Sequence, residues 1–396
     1  MSDVRGLDEW TQTVSEHLPH LSKPQAVVLA MYSFGMVLAR SCGLTAVTAC
    51  LAELLKTKPD SQRQRLRELC YEAEQKHGDQ RVSLGAQACF VPLLRWVLSL
   101  WQGKRLALAL DATTLGDRFA VLVVSVLYRG CAIPVAWKIL PGNKKGAWRP
   151  EWLRMLRQLR QAMPGEMTVI VLADRGLYAR WLYRRIVRLG WHPFLRVNRQ
   201  GYFRAEGAEA YVALGSLVRQ VGEQWSGRGT AFKESRRLEC TLLACWGEGH
   251  QEAWFILTDL APEEAEAGWY AMRAWIEHSF KIKKRGGWQW QRTRMADPDR
   301  ASRLWVVVAV ATLWTVSVGG ESDDDLTGQG ISGLADAAEK GKRYRAATRA
   351  RLISVFRRGC NRILAALLRQ EKLPEARLIP EPWPHLALPE VGTATA

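Results

Sequence analysis

Residues 105–197 restrict the possible folds more than any other stretch of this chain. Leu106–Leu110 (LALAL), Phe119–Tyr128 (FAVLVVSVLY, rich in β-branched residues), Ala132–Ile139 (AIPVAWKI) and Thr168–Ala173 (TVIVLA) are apolar runs. Runs of this length between turn and charged residues read as strands. His192–Val197 reads as a fifth. Pro150–Ala162 and Tyr178–Leu189 lie between them, amphipathic and rich in arginine, and read as helices. The order is β-β-β-α-β-α-β, an α/β chain. Two carboxylates close apolar strands in it: Asp111 after LALAL and Asp174 after TVIVLA. Such strand ends open onto the crevice where α/β sheets hold their sites. An Asp there is equally a turn former or a helix cap, and Asp174 has Arg175 beside it as a partner.

A third carboxylate comes from Tyr270–Lys284. On a helical wheel, Tyr270, Arg273, Glu277 and Lys284 fall at roughly 0°, 300°, 340° and 320°, one narrow stripe. Trp269, Met272, Ile276 and Phe280 fall at roughly 200–280° and form an apolar stripe beside it. The segment Pro262–Lys284 is therefore expected to be a helix that packs one face on the core, with Gly286-Gly287 stopping it. Glu277 alone could be no more than an ion-pair partner of Arg273 one turn away. Taken together, Asp111, Asp174 and Glu277 supply oxygen ligands from separate segments, the donor set of a hard cation such as Mg²⁺. Two such ions roughly 3.5–4 Å apart would activate an attacking oxygen and stabilise a leaving one.

The rest of the chain is organised around this core. Residues 1–100 read as helical throughout. Pro24–Arg40 and Gly43–Lys56 are followed by a turn at Thr57–Asp60 and an Arg-bearing helix with Arg63, Arg65 and Arg67, capped by Asp60 or Ser61. Helix, turn, Arg-bearing helix is compatible with a helix-turn-helix, and equally with a plain bundle that has a basic face. Residues 200–262 are Gly-rich with short strand-like pieces and read as a mostly β insertion, with a helix around Tyr211–Val221. The catalytic unit is thus expected over 101–320, after a helical unit over 1–100 that is a DNA-binding domain on the helix-turn-helix reading. A helical C-terminal region, 321–396, would comprise an acidic loop at Glu321–Asp325, basic helices over Ala335–Arg345 and Thr348–Gln370, and a loose Pro-rich tail from Leu373.

The chain has 56 Lys and Arg against 39 Asp and Glu among its 396 residues, a formal charge of +17, and 18 Trp, which favours a polyanionic partner. Its 48% hydrophobic content does not suggest wholesale disorder. The eight cysteines form neither a CxxC pair nor a Cys/His zinc pattern, so they read as core thiols of a reducing cytosol. The N-terminus lacks a signal layout. Leu304–Val318 is shorter than the roughly 20 residues a membrane span needs and carries Thr312, Thr315 and Ser317, so a buried helix is expected and no membrane partner.

Three features together resemble a known family: Asp111 after the first strand, Asp174-Arg175 after the fourth, and Tyr270, Arg273, Glu277 and Lys284 in a Y-x2-R-x3-E-x6-K pattern. The chain resembles DDE transposases of the IS4 type, the group that includes the Tn5 and Tn10 enzymes. The β-rich insertion and the segments RTRMADPD and ISVFRRGCNRIL extend the likeness over most of 105–370. The resemblance implies an RNase H-like core, Mg²⁺ (with Mn²⁺ as substitute) held as two ions by Asp111, Asp174 and Glu277, and a homodimer that synapses two transposon ends. It implies nicking, hairpin formation and resolution, and strand transfer into target DNA by a cut-and-paste route, in a bacterial, nucleoid-associated cytoplasmic setting. Tyr270, Arg273 and Lys284 would contact phosphates, joined on the DNA-binding surface by Arg175, Arg292 and Arg294. Trp254 would stack on a flipped base, with Trp288 and Trp290 as rivals for that role and a core aromatic as the plain alternative. Two other functions remain open: a nuclease of the same fold that joins nothing, and a non-catalytic DNA-binding protein descended from a transposase. The N-terminal hundred residues match the family only loosely, so no end-recognition residue is named there.

Overall fold

A computed structural model describes residues 5–78, 81–142, 148–248, 250–328 and 353–385, apart from the side chains of 322–328. Five helices come first: α1 (Arg5–His17), α2 (Lys23–Ala39), α3 (Leu44–Leu55), α4 (Pro59–Leu69) and α5 (Phe90–Leu100). The α3–α4 turn has Lys56 in the left-handed region (φ 50°). Pro59 then opens α4 after the cap residue Lys58, two or three residues earlier than the Asp60 or Ser61 cap expected from sequence. Proline is favoured there because the first helical N–H needs no partner.

Strands β1 (Arg105–Leu115), β2 (Phe119–Tyr128) and β3 (Cys131–Pro141) follow, then α6 (Arg149–Arg160), β4 (Thr168–Ala173), α7 (Arg180–Arg188) and β5 (His192–Arg196). Every residue of β2 is buried, as its unbroken apolar composition requires. Its hairpin to β3 turns on Arg129-Gly130, both at positive φ (45° and 78°), a loop whose twist matches the strands it joins. β1 pairs antiparallel with β2 and parallel with β4, and β4 pairs parallel with β5.

The next segment contains β6 (Tyr202–Ala205), β7 (Val212–Ala213), the single turn α8 (Leu214–Leu217), β8 (Gln224–Ala231), β9 (Leu238–Cys245) and β10 (Trp254–Thr258). The helix expected around Tyr211–Val221 shrinks to α8. These strands do not form a separate body. β10 pairs antiparallel with β5, and the result is one ten-stranded sheet in the order β3-β2-β1-β4-β5-β10-β9-β8-β6-β7.

The continuous helix expected over Pro262–Lys284 is instead a chain of short pieces. Pro262–Glu264 and Ala267–Arg273 are 3₁₀ turns, α9 is Ala274–Lys281, and Ile282–Gly286 is a π turn. The wheel drawn at one uniform pitch therefore does not describe this segment, whose pitch changes twice, from 3₁₀ to α to π.

α10 (Pro298–Gly328) is twice as long as the apolar run that announced it and carries the acidic stretch expected as a loop within its last turns. Pro298–Glu321 is long and apolar enough to cross a bilayer, but it is nearly all buried inside the protein, between β3, α2 and α11 (Val355–Leu368). Trp10 of α1 stacks on Trp314 at 4.0 Å, so the N-terminal helices share the core of the sheet. The basic helix expected over Ala335–Arg345 lies outside the described residues, and of Thr348–Gln370 the helix α11 is seen.

The Pro-rich tail is not loose over its described part. Leu378 donates its N–H to Leu100 O (2.8 Å), accepts from Gln102 N (2.8 Å) and is wholly buried. Trp383 is buried edge-on against Trp269, with the Arg105 guanidinium 3.8 Å from its ring centre. Burial of Leu378 and of the large apolar area of Trp383 holds the tail down, and the stiff prolines between them reduce the entropy lost in fixing it.

Candidate active site

The β1–β4 register pairs Leu110 with Ala173, so the next residue on each of these neighbouring strands is an aspartate, Asp111 and Asp174. β4 stops before Asp174, but β1 runs on to Leu115 because Asp111–Leu115 keep pairing with β2. Asp111 is therefore inside its strand and not at its end as the sequence suggested, which accounts for its burial (8% exposed). Asp174 Oδ1 accepts from the N–H groups of Gly176 (3.0 Å) and Leu177 (3.1 Å), a turn that fixes the carboxylate and leaves Oδ2 free to face the site.

One side chain joins the carboxylates. Arg273, the last residue of the 3₁₀ turn before α9, donates Nη2 to Asp111 Oδ2 (2.9 Å) and to Asp174 Oδ2 (3.3 Å), and Nη1 to Glu277 Oε1. Three acidic groups from β1, the β4–α7 loop and α9 thus converge on one guanidinium. Glu277 is the most exposed of them and Asp111 the least. Burial raises the Asp111 carboxyl to about 6; Arg273 and the Ala112 N–H pull it down, while Asp174 and Glu277 add repulsion. Burial works against the charge of Arg273 too, but Asp111 and the other carboxylates more than offset it and raise its pKa.

The donor set is all oxygen and leaves a net negative charge around Arg273, which fits a hard divalent cation. Among the described residues, however, no three His, Cys, Asp or Glu side chains stand close enough together to hold an ion. The guanidinium occupies the point on which they converge, so it must move for the three carboxylates to share a metal.

The remaining residues singled out from sequence divide into two groups. Lys284 lies in the π turn, and its Nζ donates to Thr113 Oγ1 (2.9 Å), with burial lowering its pKa. Thr113 is two residues beyond Asp111 on the same strand face, a period-two relation that could have flagged it. Arg292 and Arg294 are exposed on the loop after Trp290. Arg175 is exposed and ion-paired with Glu252 (2.9 Å), which also binds Arg196 (2.9 Å), tying the β4–α7 loop to the β9–β10 loop. Tyr270 is buried, and its hydroxyl is directed at Ala173 O (3.4 Å), the carbonyl just before Asp174, while burial raises its pKa. Trp254 opens β10, half-buried and edge-on to Tyr270 (5.2 Å). The ring of His250 is stacked on it at 4.1 Å.

Trp288 and Trp290 are corrected by the structure. Trp288 is wholly buried, donates Nε1 to Thr312 Oγ1 (2.9 Å) and meets Phe356 edge-on. Trp290 is buried between Phe119 and Trp305. Neither is exposed at the surface: Trp288 packs between α10 and α11, and Trp290 between β2 and α10.

Residues 104–314, just over half the chain, match the transposase DDE domain family. Among solved structures, a piggyBac transposase synaptic complex with hairpin DNA, determined by cryo-EM, aligns with a TM-score of 0.33. The identity is 9%, over 88% of this chain and 86% of that one, a likeness too slight to bear on the fold. No curated protein matches.

Proposed function

The chain belongs to the transposase DDE domain family, and from that membership we propose that Asp111, Asp174 and Glu277 are the acidic triad of a DNA transposase of the IS4 type. The observation that carries the proposal is the convergence of all three on Arg273 from three separate elements. The β3-β2-β1-β4-β5 half of the sheet, with β1, β4 and β5 parallel, supports reading the core as RNase H-like. The family generally uses divalent metal ions; Mg²⁺, with Mn²⁺ as substitute and two ions per site, would supply activation of the attacking oxygen and stabilisation of the leaving one.

The protein's own groups would bind and orient the DNA. Lys284, Arg292 and Arg294 offer charge to phosphates beside the triad, and Arg175 does so from the β4–α7 loop. Arg273, whose guanidinium suits a phosphate as well as a carboxylate, would turn to the DNA backbone if Asp111, Asp174 and Glu277 were held by a cation. Tyr270 would hold the strand end that bears Asp174. Trp254 would stack on a flipped base, displacing His250 or sandwiching the base against it. Nicking, a hairpin on the donor, strand transfer by a cut-and-paste route, a homodimeric synaptic complex and a bacterial, nucleoid-associated cytoplasmic setting complete the proposal.

The test uses labelled DNA bearing the inverted repeats that flank the reading frame, incubated with a plasmid and Mg²⁺. Joined product is expected from the wild type. Asp111→Asn, Asp174→Asn and Glu277→Gln should each abolish cleavage, by at least about a thousandfold for loss of such electrostatic machinery, while end binding is retained. Near-normal cleavage by any of the three removes that residue from the site. Cleavage without joining would instead indicate a nuclease, and binding without cleavage a non-catalytic DNA-binding protein.

A further inference from the structure

Helices α6 and α7 carry a charge pattern that the catalytic centre does not use. Their 21 residues contain eight arginines, no lysine and a single acid, Glu151. Both connect strands that run the same way, β3 to β4 and β4 to β5, and both move along the sheet in one direction, so right-handed crossovers put them on the same face. They pack against each other there, and Arg149 at the start of α6 lies over the Trp181 ring of α7 (5.5 Å). Both start at the end of the sheet where Asp174 sits and run away from it.

Some of these arginines have structural work. Arg160 donates to Leu189 O (2.9 Å) and Met163 O (3.0 Å), Arg180 to the carbonyl of Ser235, and Arg154 pairs with Glu151 (2.6 Å). Arg157, Arg184 and Arg188 are exposed and have no ion-pair partner among the described residues. Arg184 and Arg188 are one turn apart on α7, and Arg157 is on the solvent side of α6, opposite its buried Trp152, Met155, Leu156 and Leu159. Three exposed guanidinium groups without an ion-pair partner among the described residues leave these neighbouring helices with positive charge that a polyanion would neutralise. The use of Arg alone favours an anion that accepts paired N–H bonds from a planar fork, as a phosphodiester does.

We propose that this ridge binds the sugar-phosphate backbone of duplex DNA that runs away from the catalytic centre, a second contact distinct from that of Lys284, Arg292 and Arg294. The twelve residues of α6 make it about 18 Å long, enough to follow about five base pairs on one strand at about 3.4 Å each. The inference rests on the reading of the protein as a DNA transposase, and its test separates the two.

Binding of the full-length protein to a fluorescent 40-base-pair duplex would be measured across a salt series. The variants are Arg157→Gln/Arg184→Gln/Arg188→Gln and a control that loses the same charge elsewhere, Arg5→Gln/Arg369→Gln/Lys372→Gln. If each ridge arginine meets a phosphate, the slope of log affinity against log salt should become shallower by about 2.7, at about 0.9 per contact. The affinity near 0.1 M salt should fall at least tenfold, and Arg→Lys at the same three positions should restore most of the slope. A control that loses as much as the ridge variant would overturn the proposal, since net charge would then suffice. An unchanged slope in the ridge variant would overturn it as well, with the transposase reading intact. A wild type without salt-dependent duplex binding would sink both. Loss of the joining activity predicted above, with the ridge effect still present, would sink the transposase reading alone.

Discussion

Asp111 is where the cost of the site is concentrated. Its carboxyl is raised from an ordinary value of 3.8 to about 6 by burial, so the fold favours the neutral acid. A carboxyl with a raised folded-state pKa contributes its stability below the unfolded value and loses it as pH rises through the folded one. The loss therefore falls between about pH 4 and pH 6, and in the metal-free protein it reaches about 3 kcal/mol at neutral pH. Asp111→Asn should accordingly raise the melting temperature of the metal-free protein at pH 7.5 and leave it nearly unchanged at pH 4, while abolishing cleavage. Equal melting temperatures for the two proteins at pH 7.5 would show that Arg273 already offsets the burial. A bound cation would reverse the balance by favouring the ionised form.

Pitch and close approach dominate at the scale of elements. The changes from 3₁₀ to α to π across Ala267–Gly286 let Tyr270 turn inward to the β4 carbonyl while Arg273 reaches Asp111, Asp174 and Glu277 and Lys284 reaches β1. A single regular helix would have aimed all four along one stripe. Behind the sheet, α10 and α11 cross with backbone against backbone. A Cβ on Gly359 would come within 1.7 Å of Thr315 O, and one on Gly319 within 1.9 Å of Val355 O. Gly359→Ala must force the helices apart and open the buried seam around Phe356 and Ile363. A loss of about 3 kcal/mol or more, the order of a severe core disruption, is expected. Chemical denaturation reads it directly, and a variant as stable as the wild type would mean that the helices can separate at little cost.

At the scale of the whole molecule, the chain closes on itself. The tail from Leu373 crosses to the strand-leading segment at Leu100–Gln102, and Tyr128 and Arg129 of the β2–β3 hairpin engage the backbone of Ile379. Truncation after Gln370 removes the buried Leu378 and Trp383 and uncovers Trp269, which Trp383 packs against, at a cost of about 2–3 kcal/mol for each large apolar side chain whose burial is lost. Melting temperature should fall by several degrees, and hydrogen exchange should quicken at Arg105 and Trp269. A truncated protein with unchanged exchange there would make the strap dispensable.

Local pattern alone identified the strands of the core and the carboxylates Asp111 and Asp174, because buried strands are written as short apolar runs and the residues that end or interrupt them stand out. It also carried the Tyr270–Lys284 spacing that resembles a family signature. The tertiary structure decided what those residues touch. Parallel register set Asp111 beside Asp174, and a change of helical pitch put Arg273 between three carboxylates and withdrew Tyr270 from solvent. Trp288 and Trp290, indistinguishable in sequence from exposed stacking residues, were consigned to the core by α10 together with α11 and β2. The Pro-rich tail, loose by composition, is held by Leu378 and Trp383. In each case the deciding contact joins residues far apart in the chain, and neither periodicity nor composition records which distant surface a side chain will meet.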